Sequence, residues 1–128
     1  MPGRSAFSYA ILRVVPRIER GERLNVGVVL FARQHGGFLG MRAALDETRL
    51  AALAPGLDAA DVRPHLDALC AVAAGDPAAG PLARLEPSER FGWLVAPSST
   101  VLQPSEVHTG MTADPAATLD RLFAELVS

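Results

Sequence analysis

The sequence predicts an α+β domain spanning residues 1–128: an antiparallel sheet, built on an N-terminal three-strand meander with a later strand or hairpin, and about three packed helices. Two long apolar segments with strand periodicity are joined by a short charged connection, and a Gly36-Gly37 turn leads into a third. Further along, the apolar spacing changes to the helical period. The composition permits a core, since 49% of the 128 residues are apolar and 20% charged. A chain of this length buries roughly two-thirds of its unfolded surface, enough to fold without disulfide or metal.

The first strand is predicted over Phe7 to Val15. Phe7, Tyr9, Ile11 and Val15 face one side, with Arg13 among them, and Ala10, Leu12 and Val14 the other. Two apolar faces suit a central strand covered on both sides. Pro16 ends it, having no amide to donate. A charged connection follows, and the second strand runs from Leu24 to Arg33. Strict alternation puts Val26, Val28 and Leu30 on one face, and Asn25, Gly27, Val29 and Phe31 on the other. Gly27 inside this run signals a bulge or a close backbone approach. The third strand is Phe38 to Ala43, and the brief connections make the three antiparallel.

Asp46 is the expected N-cap of a helix over 46–54, with Leu45 and Leu50 as a hydrophobic staple and Pro55-Gly56 as its stop. A second helix is expected over 61–74, started by Asp58 or Asp61, with Asp61 preferred so that Pro64 falls in the first turn. Its buried stripe is Val62, Leu66, Leu69, Cys70 and Ala73, and Gly75 closes it. Residues 76–87, with Pro77, Pro81 and Pro87, are expected as loop, and Phe91 to Ala96 as a fourth strand. Val101 to Gln103 and the stretch around Val107 are expected as short edge strands, limited by Pro104. In the last helix, 115–127, Asp114 caps, Pro115 takes the first position, and Leu119, Leu122, Phe123 and Leu126 form the apolar stripe.

The formal net charge is -2, so no global field attracts nucleic acid, and no aromatic platform on a basic groove offers stacking. All 12 basic residues are Arg. Cys70 is the only cysteine, which excludes an internal disulfide and favours a cytoplasmic location. The apolar run from Ala6 is broken by Arg13, unlike a signal peptide, and no stretch reaches the ~20 apolar residues of a membrane helix.

Several segments together carry a family resemblance: Tyr9-Ala-Ile-Leu-Arg-Val-Val-Pro16, Gly21-Glu-Arg-Leu-Asn-Val-Gly-Val-Val-Leu-Phe31, Gly92-Trp-Leu-Val, and the closing Asp114-Pro with Leu119-Asp-Arg-Leu-Phe-Ala-Glu-Leu-Val127. The chain resembles the bacterial domain-of-unknown-function family 3037 over nearly its whole length. The segment from Glu22 through Asn25 and Val26 to Gly27 is the most specific part. The resemblance implies no established activity. It implies a protein partner, because members are encoded beside a kinase-like protein of the HipA type. The chain itself has no glycine-rich phosphate loop followed by a lysine, and no lysine at all.

The residues singled out for binding are Arg13, Arg17, Glu19, Arg20, Glu22, Arg23, Asn25, Gly27 and His108. Most lie in the charged connection between two apolar strands, where Glu22 and Asn25 are expected to shape the loop and the arginines to meet an anion or acidic partner. The plainer alternative is a solvated connection whose surface ion pairs contribute ~0–1 kcal/mol each. Arg13, on a largely buried strand, requires a carboxylate, with Glu19 and Glu22 nearest in sequence. His108 near Ser98, Ser99 and Thr100 lacks a nucleophile elbow or an orienting acid. Glu19, Glu22 and Asp46 lack metal-ligand spacing, so no catalytic residue, metal or cofactor is assigned. The expected function is a non-catalytic interaction or regulatory module. The alternatives are a small enzyme acting on a phosphorylated or nucleotide substrate through Arg13, Glu22, Asn25 and His108, and a structural homodimer.

Overall fold

Apolar residues on both faces place β1 (Ser5–Val14) and β2 (Leu24–Ala32) at the centre of the sheet. The structure, a computed structural model, describes residues 3–17, 20–34, 36–97 and 100–127. β3 (Phe38–Ala43) pairs antiparallel with β2. On the far side of β1, β4 (Leu102–Pro104) pairs with its C-terminal part and β5 (His108–Thr112) with its N-terminal part, both antiparallel. The order is therefore β3-β2-β1-β4, with β5 alongside β4 on the same edge of β1.

Four helices among the described residues cover the two faces: α1 (Glu47–Leu53), α2 (Ala59–Ala74), α3 (Pro87–Leu94) and α4 (Pro115–Leu126). Ala10, Leu12, Val14, Val26 and Val29 form one core with Leu50 of α1, Val62, Leu66, Leu69 and Val72 of α2, and Phe91 and Leu94 of α3. Phe7, Val28, Leu30 and Ala32 form the second core with Leu119, Leu122 and Phe123 of α4. None of these helices is long and apolar enough to cross a membrane.

Two of the expected N-caps, Asp46 and Asp114, are present. The Asp46 carboxylate accepts from the Arg49 amide at 3.1 Å, and that of Asp114 from the Ala117 amide at 3.1 Å. Thr112 and Thr118 join their hydroxyls at 2.7 Å in the interior, and Thr112 also accepts from the Asp114 amide, which fixes the start of α4 to β5. Arg42 on β3 lies over the Phe123 ring at 4.3 Å and pairs with Asp120 at 3.0 Å, holding α4 to the other edge.

Three expectations are corrected. Residues 91–96 are not a strand, since α3 ends at Leu94. A short apolar run does not distinguish strand from helix, and here Pro87 occupies a first helical position while tertiary contacts decide. Phe91 stacks on Phe31 at 5.7 Å, and Arg90 donates to the Val72 and Ala73 carbonyls at 3.0 and 2.9 Å, capping the end of α2. Second, α2 begins at Ala59, because Asp58 rather than Asp61 is the cap, accepting from the Ala60 amide. Pro64 thus lies inside the helix, where the backbone bond it forgoes would fall on the exposed residue Ala60. Third, residues 76–87 hold two short 3-10 turns, Pro77–Ala79 and Pro81–Arg84, instead of irregular loop.

Leu122→Ala or Phe123→Ala should lower stability by ~2–5 kcal/mol in chemical denaturation, because each opens the α4 core. Glu125→Ala, on the exposed face of the same helix, should change it by less than ~0.5 kcal/mol.

Candidate functional site

The segment from Glu22 to Gly27 is built around a β-bulge. Leu12 pairs with Gly27 and Arg13 with Asn25, leaving Val26 without an opposite residue. Val26 and Gly27 therefore follow one another on the same face, and Val26 enters the core under α2 rather than the α4 core. A Cβ on Gly27 would approach the Arg42 carbonyl to 3.2 Å and the Met41 methyl to 3.4 Å, so a side chain there would crowd β3. The bulge turns Asn25 to the opposite face, where its amide donates to the Leu126 carbonyl at 3.0 Å. That carbonyl belongs to the last turn of α4, whose terminal acceptors have no partner within the helix. Asn25 and Gly27 thus join the strands and α4 to one another.

Arg13 lies on the face of Asn25, flanked across the ladders by Asn25 on β2 and Gln103 on β4. Its Nε is buried without a hydrogen-bond partner. The ion pair expected with Glu22 is not formed. Glu22 instead accepts from Arg20 at 2.7 Å, because the turn at Gly21, with φ +70°, folds these two neighbours together. Desolvation lowers the pKa of Arg13 from its ordinary value, Arg23 adds to the lowering, and Glu106 opposes it. Glu19 lies outside the described residues.

Pro16, Arg17, Arg20 and Glu22 form one wall of a cleft of about 460 Å³. The opposite wall is the α1–α2 turn, Leu53, Ala54, Pro55, Gly56 and Leu57, with Val101 at the side. Turn bonds from the Arg20 amide to the Arg17 carbonyl, and from the Leu57 amide to the Ala54 carbonyl, shape the two walls. Arg17 is exposed, and its guanidinium has no partner among the described residues.

The remaining expected residues lie apart from the cleft. His108 pairs with Tyr9 near the middle of β1, about 13 Å from Arg13 along the strand. Its ring lies 5.2 Å from that of Tyr9, and its Nε2 is 3.9 Å from the Glu106 carboxylate. Arg13, Glu22, Asn25 and His108 are therefore not gathered in one cleft. Ser98 and Ser99 lie outside the described residues. Among the described residues, no group of three or more His, Cys, Asp or Glu side chains could hold a metal ion. Cys70 is half-buried rather than on the core stripe, which passes through Leu69, Val72 and Ala73. Desolvation raises its pKa, and the nearby Asp67 adds to the rise.

A family model described as a protein of unknown function, DUF3037, matches residues 9–127. The chain belongs to this family. No curated protein and no solved structure matches it. In this DUF3037 chain, one of the segments that carry the resemblance, Gly21 to Phe31, holds the bulge, the Asn25 contact to α4 and Glu22 of the cleft wall.

Two further features had no signal in the sequence. Arg90 acts inside the fold, on the end of α2, and only the helical state of residues 87–94 brings it there. The same helix leaves Trp93 44% exposed between depressions of about 330 and 350 Å³, both also lined by His65 and Leu69. Once 87–94 is a helix, the i, i+3 spacing of Phe91 and Leu94 marks Trp93 as off the buried stripe.

Asn25→Ala should cost the DUF3037 domain ~0.5–1.5 kcal/mol in chemical denaturation, the contribution of one hydrogen bond, with the sheet retained. Cys70 gives a pH-dependent test. A raised pKa leaves less thiolate at a given pH, so alkylation at about pH 8 should be slower in the folded domain than in denaturant. By linkage, the stabilising effect of that shift is present below the ordinary thiol range and is lost as pH rises through the raised value.

Proposed function

We propose that the domain is a non-catalytic recognition module that holds a segment of a partner protein in the cleft between the β1–β2 connection and the α1–α2 turn. The observation that carries this reading is the make-up of the cleft: an exposed arginine and an arginine–glutamate pair on one wall, and Leu53, Pro55 and Leu57 on the other. Such a cleft suits a segment with an apolar side chain beside a carboxylate. The apolar wall removes the first from water, and Arg17 supplies a charge-assisted donor to the second. The Arg20–Glu22 pair is partly exposed, so its role is to hold the wall in shape more than to stabilise the fold. The kinase-like protein of the HipA type associated with the family is the partner we assign to this cleft. The enzyme alternative would draw Arg13, Glu22, Asn25 and His108 to one substrate, and the placement of Glu22 on the cleft wall with Arg13 and Asn25 on the opposite, α4 face favours recognition instead.

The test is capture of the HipA-type kinase-like protein by the intact chain, alongside a thermal melt. Arg17→Glu should abolish capture while leaving the melt unchanged, since the substituted residue is exposed and makes no ion pair among the described residues. Failure of the wild-type chain to capture the protein, or undiminished capture by a well-folded Arg17→Glu chain, would sink the proposal.

A further inference from the structure

Arg13 and Arg23 stand on the sheet face opposite the cleft. Leu24 packs into the core under α2 and Asn25 turns to α4, so the residue before Leu24 returns to the Asn25 side. Arg23, the residue just before β2, thereby continues the diagonal from Arg13 across the ladder, about 7–8 Å away by strand geometry, and its charge acts on Arg13. Neither guanidinium has an ion-pair partner among the described residues, and the Nε of Arg13 is removed from solvent with no acceptor. The neighbouring side-chain amides point their donors elsewhere: that of Asn25 to the Leu126 carbonyl, and that of Gln103 to the Thr100 carbonyl at 3.0 Å. Among the described residues, the exposed Glu106 is the carboxylate whose charge raises the pKa of Arg13.

We infer that Arg13 and Arg23 form an oxyanion-binding site for a phosphate group, distinct from the cleft and independent of its proposed role. Two facing guanidiniums repel one another until an anion lies between them. A carboxylate carries one charge, whereas a phosphate monoester carries about −1.5 to −2 near neutral pH and offers three acceptor oxygens, matching two planar donor groups. Arg13 is the fixed element, because its Nε is held out of solvent and its terminal nitrogens supply the paired N–H donors through which a guanidinium binds an oxyanion. The exposed Arg23 closes from the side.

The experiment follows the arginine Nε–H resonances of the intact chain by NMR while inorganic phosphate is added, with acetate as the monoanion control. Phosphate should produce a saturable shift at Arg13 and Arg23, and acetate a much weaker one. Arg13→Lys keeps the charge but loses the paired donors, and should weaken phosphate binding roughly ten- to hundredfold. Arg23→Ala, at an exposed position, should do the same if Arg13→Lys does not fold, while Arg17→Ala should leave binding unchanged. A phosphoserine peptide separates the two sources: tighter binding than inorganic phosphate assigns the site to phosphorylated protein, and weaker binding assigns it to the free anion. No saturable shift with either probe, equal binding of acetate, or equal loss in Arg17→Ala would overturn the site.

Discussion

The unpaired residue at Val26 sets the geometry on which much of this fold depends. A strand with strict alternation would keep Val26 on the face of Val28 and Leu30, and would direct Asn25 into the apolar layer under α2. The bulge between the Leu12–Gly27 and Arg13–Asn25 pairs reverses the faces below it. Val26 then fills the larger core, and Asn25 reaches the last carbonyl of α4. A buried amide on the wrong face would cost ~1–3 kcal/mol, so one extra residue determines whether both layers are compatible with one sheet. The same reversal keeps Arg13 beside Asn25 and aligns Arg23 with them, so the arrangement of charge on the α4 face also originates there.

The arginines divide by what surrounds them. Arg90 is consumed by the end of α2, and Arg42 by Phe123 and Asp120. Arg20 is paired with Glu22 within its own turn. Arg13, Arg17 and Arg23 have no such partner among the described residues, and they flank the two ends of the charged connection on opposite faces of the sheet. A cation that is not needed to hold the fold is the one free to meet a ligand. That distinction, more than the number of arginines, separates the structural from the binding part of the segment.

Much of the local grammar was legible in the sequence. The three-strand meander followed from period-two apolar runs and short connections, and the caps at Asp46 and Asp114 from a carboxylate placed just ahead of a helical stripe. Gly27 marked the bulge because a glycine inside an apolar strand has few other uses. The charged connection was legible as a surface feature. Its second wall was not, because Leu53 to Leu57 lie some thirty residues further along the chain and meet it only in three dimensions.

What the sequence determined alone were the features governed by neighbours along the chain: strand period, helix stripe, cap and turn. Tertiary structure decided the rest, where two local solutions were close in energy. Residues 91–94 could extend or coil, and the choice fell to Phe91 on Phe31 and Arg90 on the end of α2. Asp58 and Asp61 could each start α2, and the longer helix prevailed despite Pro64. Glu22 could pair with Arg13 or Arg20, and the backbone turn at Gly21 gave it Arg20. In the first case the deciding contacts join residues distant in sequence, and in the other two the choice lies between local alternatives that the residue types satisfy equally.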